Sequence, residues 1–220
     1  MKNHQLFIYF ICLVSAMGGL LFGYDWVVIG GAKPFYEEYF HIAGDEGMQA
    51  LTMSIALFGM SVGGLLWQVS WPTVMDARSC WYYQLLSFFA SSWATGAATA
   101  IPAFIIARLV GGMAIGLAAD LSPMYIAEVA PTQIRGKLVT LNQLTIVLGI
   151  LGAQIVNMLI AEPVPEGATA ADILNSWNGQ TGWRWMFWAV CVPSGLVFPA
   201  GIVYSRKPAL AGQHEADGES

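Results

Sequence analysis

Gly18-Gly19-Leu20-Leu21-Phe22-Gly23-Tyr24-Asp25-Trp26-Val27-Val28-Ile29-Gly30-Gly31-Ala32 is a run of apolar and small residues broken by a single carboxylate. It is the second half of an apolar stretch from about residue 6 to residue 32. At about 1.5 Å per helical residue, such a stretch crosses the roughly 30 Å of hydrocarbon in a bilayer. The weakly basic start from Met1 to His4 followed by apolar residues outlines a signal peptide, but the apolar stretch runs on to Ala32 without a small-residue cleavage site. The stretch predicts a spanning helix, and Asp25 is a charge inside it.

Working outward, five more apolar stretches follow at about 48–68, 80–100, 102–126, 138–161 and 184–204. With 56% hydrophobic and 10% charged residues, the chain cannot coat a water-soluble domain with polar side chains, and lipid is its expected surroundings. The expectation is an all-α integral membrane protein of six transmembrane helices over residues 1–205, followed by a polar tail at 206–220. Six crossings put both termini on one side. The loop from Lys33 to Gly47 carries Glu37, Glu38, Asp45 and Glu46, and the loop from Glu162 to Gly182 carries Glu162, Glu166 and Asp172 with no basic residue. Lys2, Arg78, Arg135, Lys137, Arg206 and Lys207 fall on the opposite side. Basic residues favour the cytoplasmic side, so both termini are expected there, in a cell inner (plasma) membrane.

Several functions are set aside by composition. The net charge of -5 and the lack of a basic stripe interleaved with aromatics argue against nucleic acid. Cys12, Cys80 and Cys191 stand singly without metal-ligand spacing, so neither a metal nor a cofactor is expected. His4, His41 and His214 lie outside the spans, which leaves no histidine base for an intramembrane serine or cysteine, and no enzyme is expected.

Inside the spans, Gly18-Gly19, Gly59-x-x-x-Gly63 and Gly111-Gly112-x-x-x-Gly116 are suited to close helix packing. Trp177, Trp183, Trp185 and Trp188 gather at the outer end of the last span, where indoles act as interfacial anchors. Ionisable groups within spans cost at least about 2.5 kcal/mol each on insertion scales and mark candidate functional sites. Asp25 lies seven residues inside the outer end of the first span, and Arg108 six inside that of the fourth. Both therefore sit roughly 10 Å below the outer boundary and can meet. Pairing avoids the cost of burying either charge alone, and protonating the aspartate would release the arginine. A proton switch and a purely structural salt bridge both fit this pairing. Asp120, near the inner end of the fourth span, can reach water and is less informative.

The segments Gly18 to Asp25, Arg108-Leu109-Val110-Gly111-Gly112, Leu121-Ser122-Pro123-Met124-Tyr125-Ile126-Ala127-Glu128, Ile134-Arg135-Gly136-Lys137 and Asn142-Gln143 together resemble the sugar porter family of the major facilitator superfamily. The likeness is to proton-coupled xylose and other monosaccharide permeases, and to the first six of the family's twelve helices. It implies the N-terminal half of the major facilitator fold, with two inverted three-helix repeats, alternating access, and a monosaccharide held at the midplane between two halves. On that resemblance Asp25 and Arg108 match the proton-coupling pair, Gln143 and Phe22 match sugar-binding residues, and Glu128 and Arg135 match a cytoplasmic charge network. A proton, a xylose- or glucose-like sugar, membrane lipid and a C-terminal six-helix half are the implied partners.

The chain departs from the family where Ile150 stands in place of a second glutamine, which bears on the identity of the sugar. Two family signatures, Asp-Arg-x-Gly-Arg-Arg/Lys after the second span and Pro-Glu-Ser-Pro-Arg-Trp after the sixth, are missing. Synonymous codons for Pro72 to Trp81 and for Ser205 to Ala211 can be chosen so that a shifted frame spells both. Segments 67–87 and 197–220 are therefore expected to be either frameshifted text or true divergence. The 220-residue form is correspondingly a symporter half by ancestry, a fragment without transport activity, or a homodimeric half-transporter.

Overall fold

A computed structural model describes residues 2–70, 77–129, 132–165, 167 and 169–195, with the backbone alone at 2–16, 66–70, 77–82, 121, 125 and 127–129. The described residues form helices and no strands. Five long helices are α1 (Lys2–Tyr39), α2 (Glu46–Ser70), α3 (Ala77–Ala97), α4 (Ile101–Val129) and α5 (Arg135–Ile160). A short α6 (Ala170–Asn175) and a π-helical turn (Asn178–Gly182) lead into α7 (Trp183–Ala189). Helical backbone resumes at 191–195, and the rest of the expected sixth span lies outside the described residues, as does the polar tail.

Among the described residues, Glu46–Leu65, Ile101–Met124 and Arg135–Ile160 are long and apolar enough to cross a membrane. Large apolar side chains such as Met158 and Leu159 are 70% and 75% exposed, as a surface solvated by lipid requires. The most extensive helix contacts are α1 with α5 and α2 with α4, followed by α3 with α4 and α1 with α4. Exchanging the first three crossings for the last three maps the α1–α5 contact onto α4–α2, the relation expected of an inverted repeat. Close approach makes both seams possible. A Cβ on Gly23 would strike the carbonyl of Ile146 in α5, and one on Gly112 the carbonyl of Ala56 in α2.

The expected loop at 33–47 is corrected at its start, because α1 continues through Pro34 to Tyr39. Proline in a helix clashes with the carbonyl four residues earlier and leaves it without a donor. Here that carbonyl belongs to Gly30, which is exposed and meets nothing within 4 Å of a built Cβ, so α1 has room to adjust. Lys33 and Glu37 then face each other one turn apart at 3.7 Å. The helix stops in a Schellman turn. His41 takes the left-handed conformation at φ 56°, its N–H donating to Glu38 O and that of Ile42 to Glu37 O. Asp45 then opens α2 by accepting from the N–H groups of Gly47 and Met48.

A second correction concerns Trp183, expected at the membrane boundary with its neighbours. It is fully buried among Tyr39, Phe40, Phe104 and Phe187, its indole N–H donating to Gly179 O, while Trp177 and Trp185 are about half exposed. Arg184 ties this end together. Its Nη1 donates to Gly96 O at 2.7 Å and Ala98 O at 2.8 Å, and its guanidinium lies over the rings of Tyr39 and Trp183. Asn178 pins the preceding segment, its amide accepting from Glu162 N–H and donating to Glu162 O.

Of the segment expected to be foreign text, 71–76 lies outside the described residues. Within the remainder, Leu85 is buried in the core, and Gln84 is buried with no partner for its side-chain oxygen among the described residues.

Candidate functional site

Asp25 comes from the middle of α1 and Arg108 from the first third of α4, two helices in direct contact. One guanidinium nitrogen, Nη1, donates to both carboxylate oxygens, at 2.8 Å to Oδ1 and 3.0 Å to Oδ2. Each residue is only 5% exposed. Arg108 also lies 5.6 Å over the face of Phe187, so α7 contributes a ring to the cation. Among the described residues its Nε is buried without an acceptor, and the hydroxyl of Tyr24 is buried without a partner. Two charges are thus withdrawn from solvent and satisfied chiefly by each other, which makes the pair sensitive to any change in either charge.

The pair borders a cavity of about 240 Å³ between α1, α2 and α4. Phe22, Trp26 and Ile29 line it from α1, Met53, Ser54 and Leu57 from α2, and Arg108 and Ile115 from α4. Charged groups and a hydroxyl converging in an otherwise apolar hollow are what a small polar ligand needs for orientation.

The structure brings three of the expected site residues, Asp25, Arg108 and Phe22, to one cavity. Gln143 does not line it. That residue is exposed on α5, while its neighbour Asn142 turns inward against Gly19 and is buried. Arg135 is exposed at the start of α5, and the side chain of Glu128 lies outside the described residues. Asp120 is exposed, with Oδ2 close to Gly64. Two residues carry more than their sequence signal suggested. Asn157 is buried, its amide reaching Val28 O at 3.5 Å, and Trp26 projects into the cavity.

Residues 11–205 match the Sugar (and other) transporter family. The chain belongs to that family. It is 36% identical over 206 residues to the glucose transport protein of Synechocystis sp., covering 92% of this chain and 42% of that protein. With the D-xylose-proton symporter of Escherichia coli it shares 35% identity over 216 residues, covering 88% of this chain and 42% of the symporter. The inward-open structure of the xylose transporter from E. coli superposes with a TM-score of 0.79 at 32% identity, over 96% of this chain and 51% of that one. The proton:xylose symporter bound to 6-bromo-6-deoxy-D-glucose also gives a TM-score of 0.79, at 31% identity, over 91% and 45%. The chain thus spans about half the length of the relatives it matches, and the helical fold expected of a major facilitator half is the observed one. Sugar porters are multi-pass membrane proteins, and this chain has helices long and apolar enough to cross a membrane.

Proposed function

We propose that this chain forms one six-helix wall of a proton-coupled monosaccharide symporter. The observation that carries the reading is the buried Asp25–Arg108 pair opening on a cavity. Relatives named as proton symporters for xylose, galactose and arabinose support the substrate class. Protonating Asp25 removes the charge that holds Arg108, whose guanidinium is then free to change partners as the bundle moves. Proton and sugar favouring the same state would be linked by a coupling free energy, and a proton gradient could then concentrate sugar. Phe22 and Gln143 contact the sugar, Glu128 and Arg135 act in a cytoplasmic charge network, and both termini face the cytoplasm. A second six-helix half supplies the facing wall, in a lipid bilayer. Residues 1–205 are the working domain, and 206–220 a tail outside it.

The test is sugar uptake into energised membrane vesicles. They hold this chain, alone or together with the C-terminal six helices of the E. coli xylose symporter. Paired vesicles are expected to accumulate D-xylose or D-glucose against a gradient, and the chain alone to accumulate none. Asp25→Asn, which keeps the shape but not the titration, abolishes uphill accumulation while sugar exchange persists. Undiminished accumulation by that variant at an imposed pH gradient would return Asp25 and Arg108 to a structural role.

A further inference from the structure

We propose that Trp26 is a specificity-determining residue of the sugar site, offering its ring as a platform and its indole N–H as a donor; this rests on the symporter reading above. The indole is 52% exposed at mid-helix in α1, one residue beyond Asp25, and borders the cavity that holds the ion pair. Indoles in membrane proteins settle at the headgroup boundary, because one end of the ring is apolar and the other needs water or an acceptor. Trp26 lies well inside that boundary, within the apolar stretch that ends at Ala32.

Its N–H has no acceptor among the described residues. Trp183 and Trp188 behave differently, each donating to a carbonyl at 3.1 Å. An unfilled donor inside a membrane protein costs free energy unless a ligand or water completes it. Phe22 flanks it with ring centroids 6.3 Å apart and a tilt of 43°. Two rings set at an angle form a corner. A monosaccharide ring has one face of C–H bonds and a rim of hydroxyls. The C–H face suits the corner, one hydroxyl suits the free N–H, and others reach Ser54 across the cavity. Gln143 does not line this cavity, so the corner adds a discrimination of its own to the Gln143 contact proposed above.

Saturation-transfer NMR of D-xylose and D-glucose with the detergent-solubilised 220-residue chain reads this directly. Wild type is expected to saturate the sugar C–H protons. Trp26→Leu weakens binding about five-fold, about 1 kcal/mol at 1.4 kcal/mol per decade. Trp26→Phe, which keeps a ring and loses the donor, weakens it less and changes the ratio of xylose to glucose affinity. Far-UV circular dichroism shows that both variants keep their helices. Equal affinities in all three proteins would overturn the role of Trp26 and leave the symporter reading standing. Absence of sugar contact in wild type would overturn the proposed corner site, while the symporter reading is decided separately by the paired-vesicle uptake. A Trp26→Leu chain that loses helicity is decided by Trp26→Phe, whose unchanged affinity and unchanged sugar preference would again refute the proposal.

Discussion

Replacing the two members of the buried ion pair singly and together tests whether each charge exists for the other. Arg108 and Asp25 meet at 2.8 Å with both side chains about 95% withdrawn from solvent. Asp25→Leu leaves a buried guanidinium beside the Phe187 ring, and Arg108→Leu leaves a buried carboxylate without a counter-ion among the described residues. Breaking a buried pair in this way costs about 3–5 kcal/mol per single variant. The double variant removes both uncompensated charges and replaces them with apolar groups of similar bulk. Its cost reduces to the lost cation–π contact, about 0.5–2 kcal/mol. Unfolding of the chain in detergent, followed by circular dichroism against added denaturing surfactant, should therefore show the double variant more stable than either single one. The coupling energy is expected to exceed about 2 kcal/mol. Additivity within about 0.5 kcal/mol, the behaviour of independent sites, would refute the reasoning. It would mean that solvent, not the partner, satisfies each charge.

Two more outcomes follow from the packing and from α6. Gly112→Ala should lose about 1–3 kcal/mol in the same unfolding assay, because the new methyl meets the Ala56 carbonyl, whereas Gly152→Ala, with nothing within 4 Å, should gain up to about 1 kcal/mol of helix propensity. In the capping box of α6, Asp172 accepts from the Thr169 hydroxyl and N–H, and these bonds hold its carboxyl below the ordinary 3.8. A depressed folded value means that the stabilisation is full above 3.8 and is lost as pH falls through the lowered value, so amide exchange at 169–175 should rise on acidification while Asp172→Asn shows no such pH dependence.

The spans are legible because lipid demands long apolar helices, and five of the expected spans match α1 to α5 within a few residues at one or both ends. The meeting of Asp25 and Arg108 was legible for a related reason. Two charges at equal depth in a low-dielectric slab have few alternatives to each other. The end of α1 is not legible, since Lys33-Pro34 followed by acidic residues has loop composition, while the open surroundings of Gly30 give the helix room to run on. The burial of Trp183 is not legible because an indole carries the same composition signal whether it anchors at a boundary or fills a core. Its burial depends on Tyr39, Phe40 and Phe104, which are distant in sequence. Trp26 carries no sequence signal for the opposite reason. In an apolar run it passes for lipid-facing bulk, and only the cavity shows otherwise.

The Arg184 clamp has a mechanical consequence. One guanidinium grips the final carbonyls of α3 and two aromatic plates from α1 and α7, so three helices are riveted at one rim of the bundle. Helices held together at one end behave as the ribs of a fan. Small changes of angle near the rivet become larger displacements at the far rim. A shift slight enough to leave the clamp intact is therefore amplified along the ribs, with Arg184 marking the pivot.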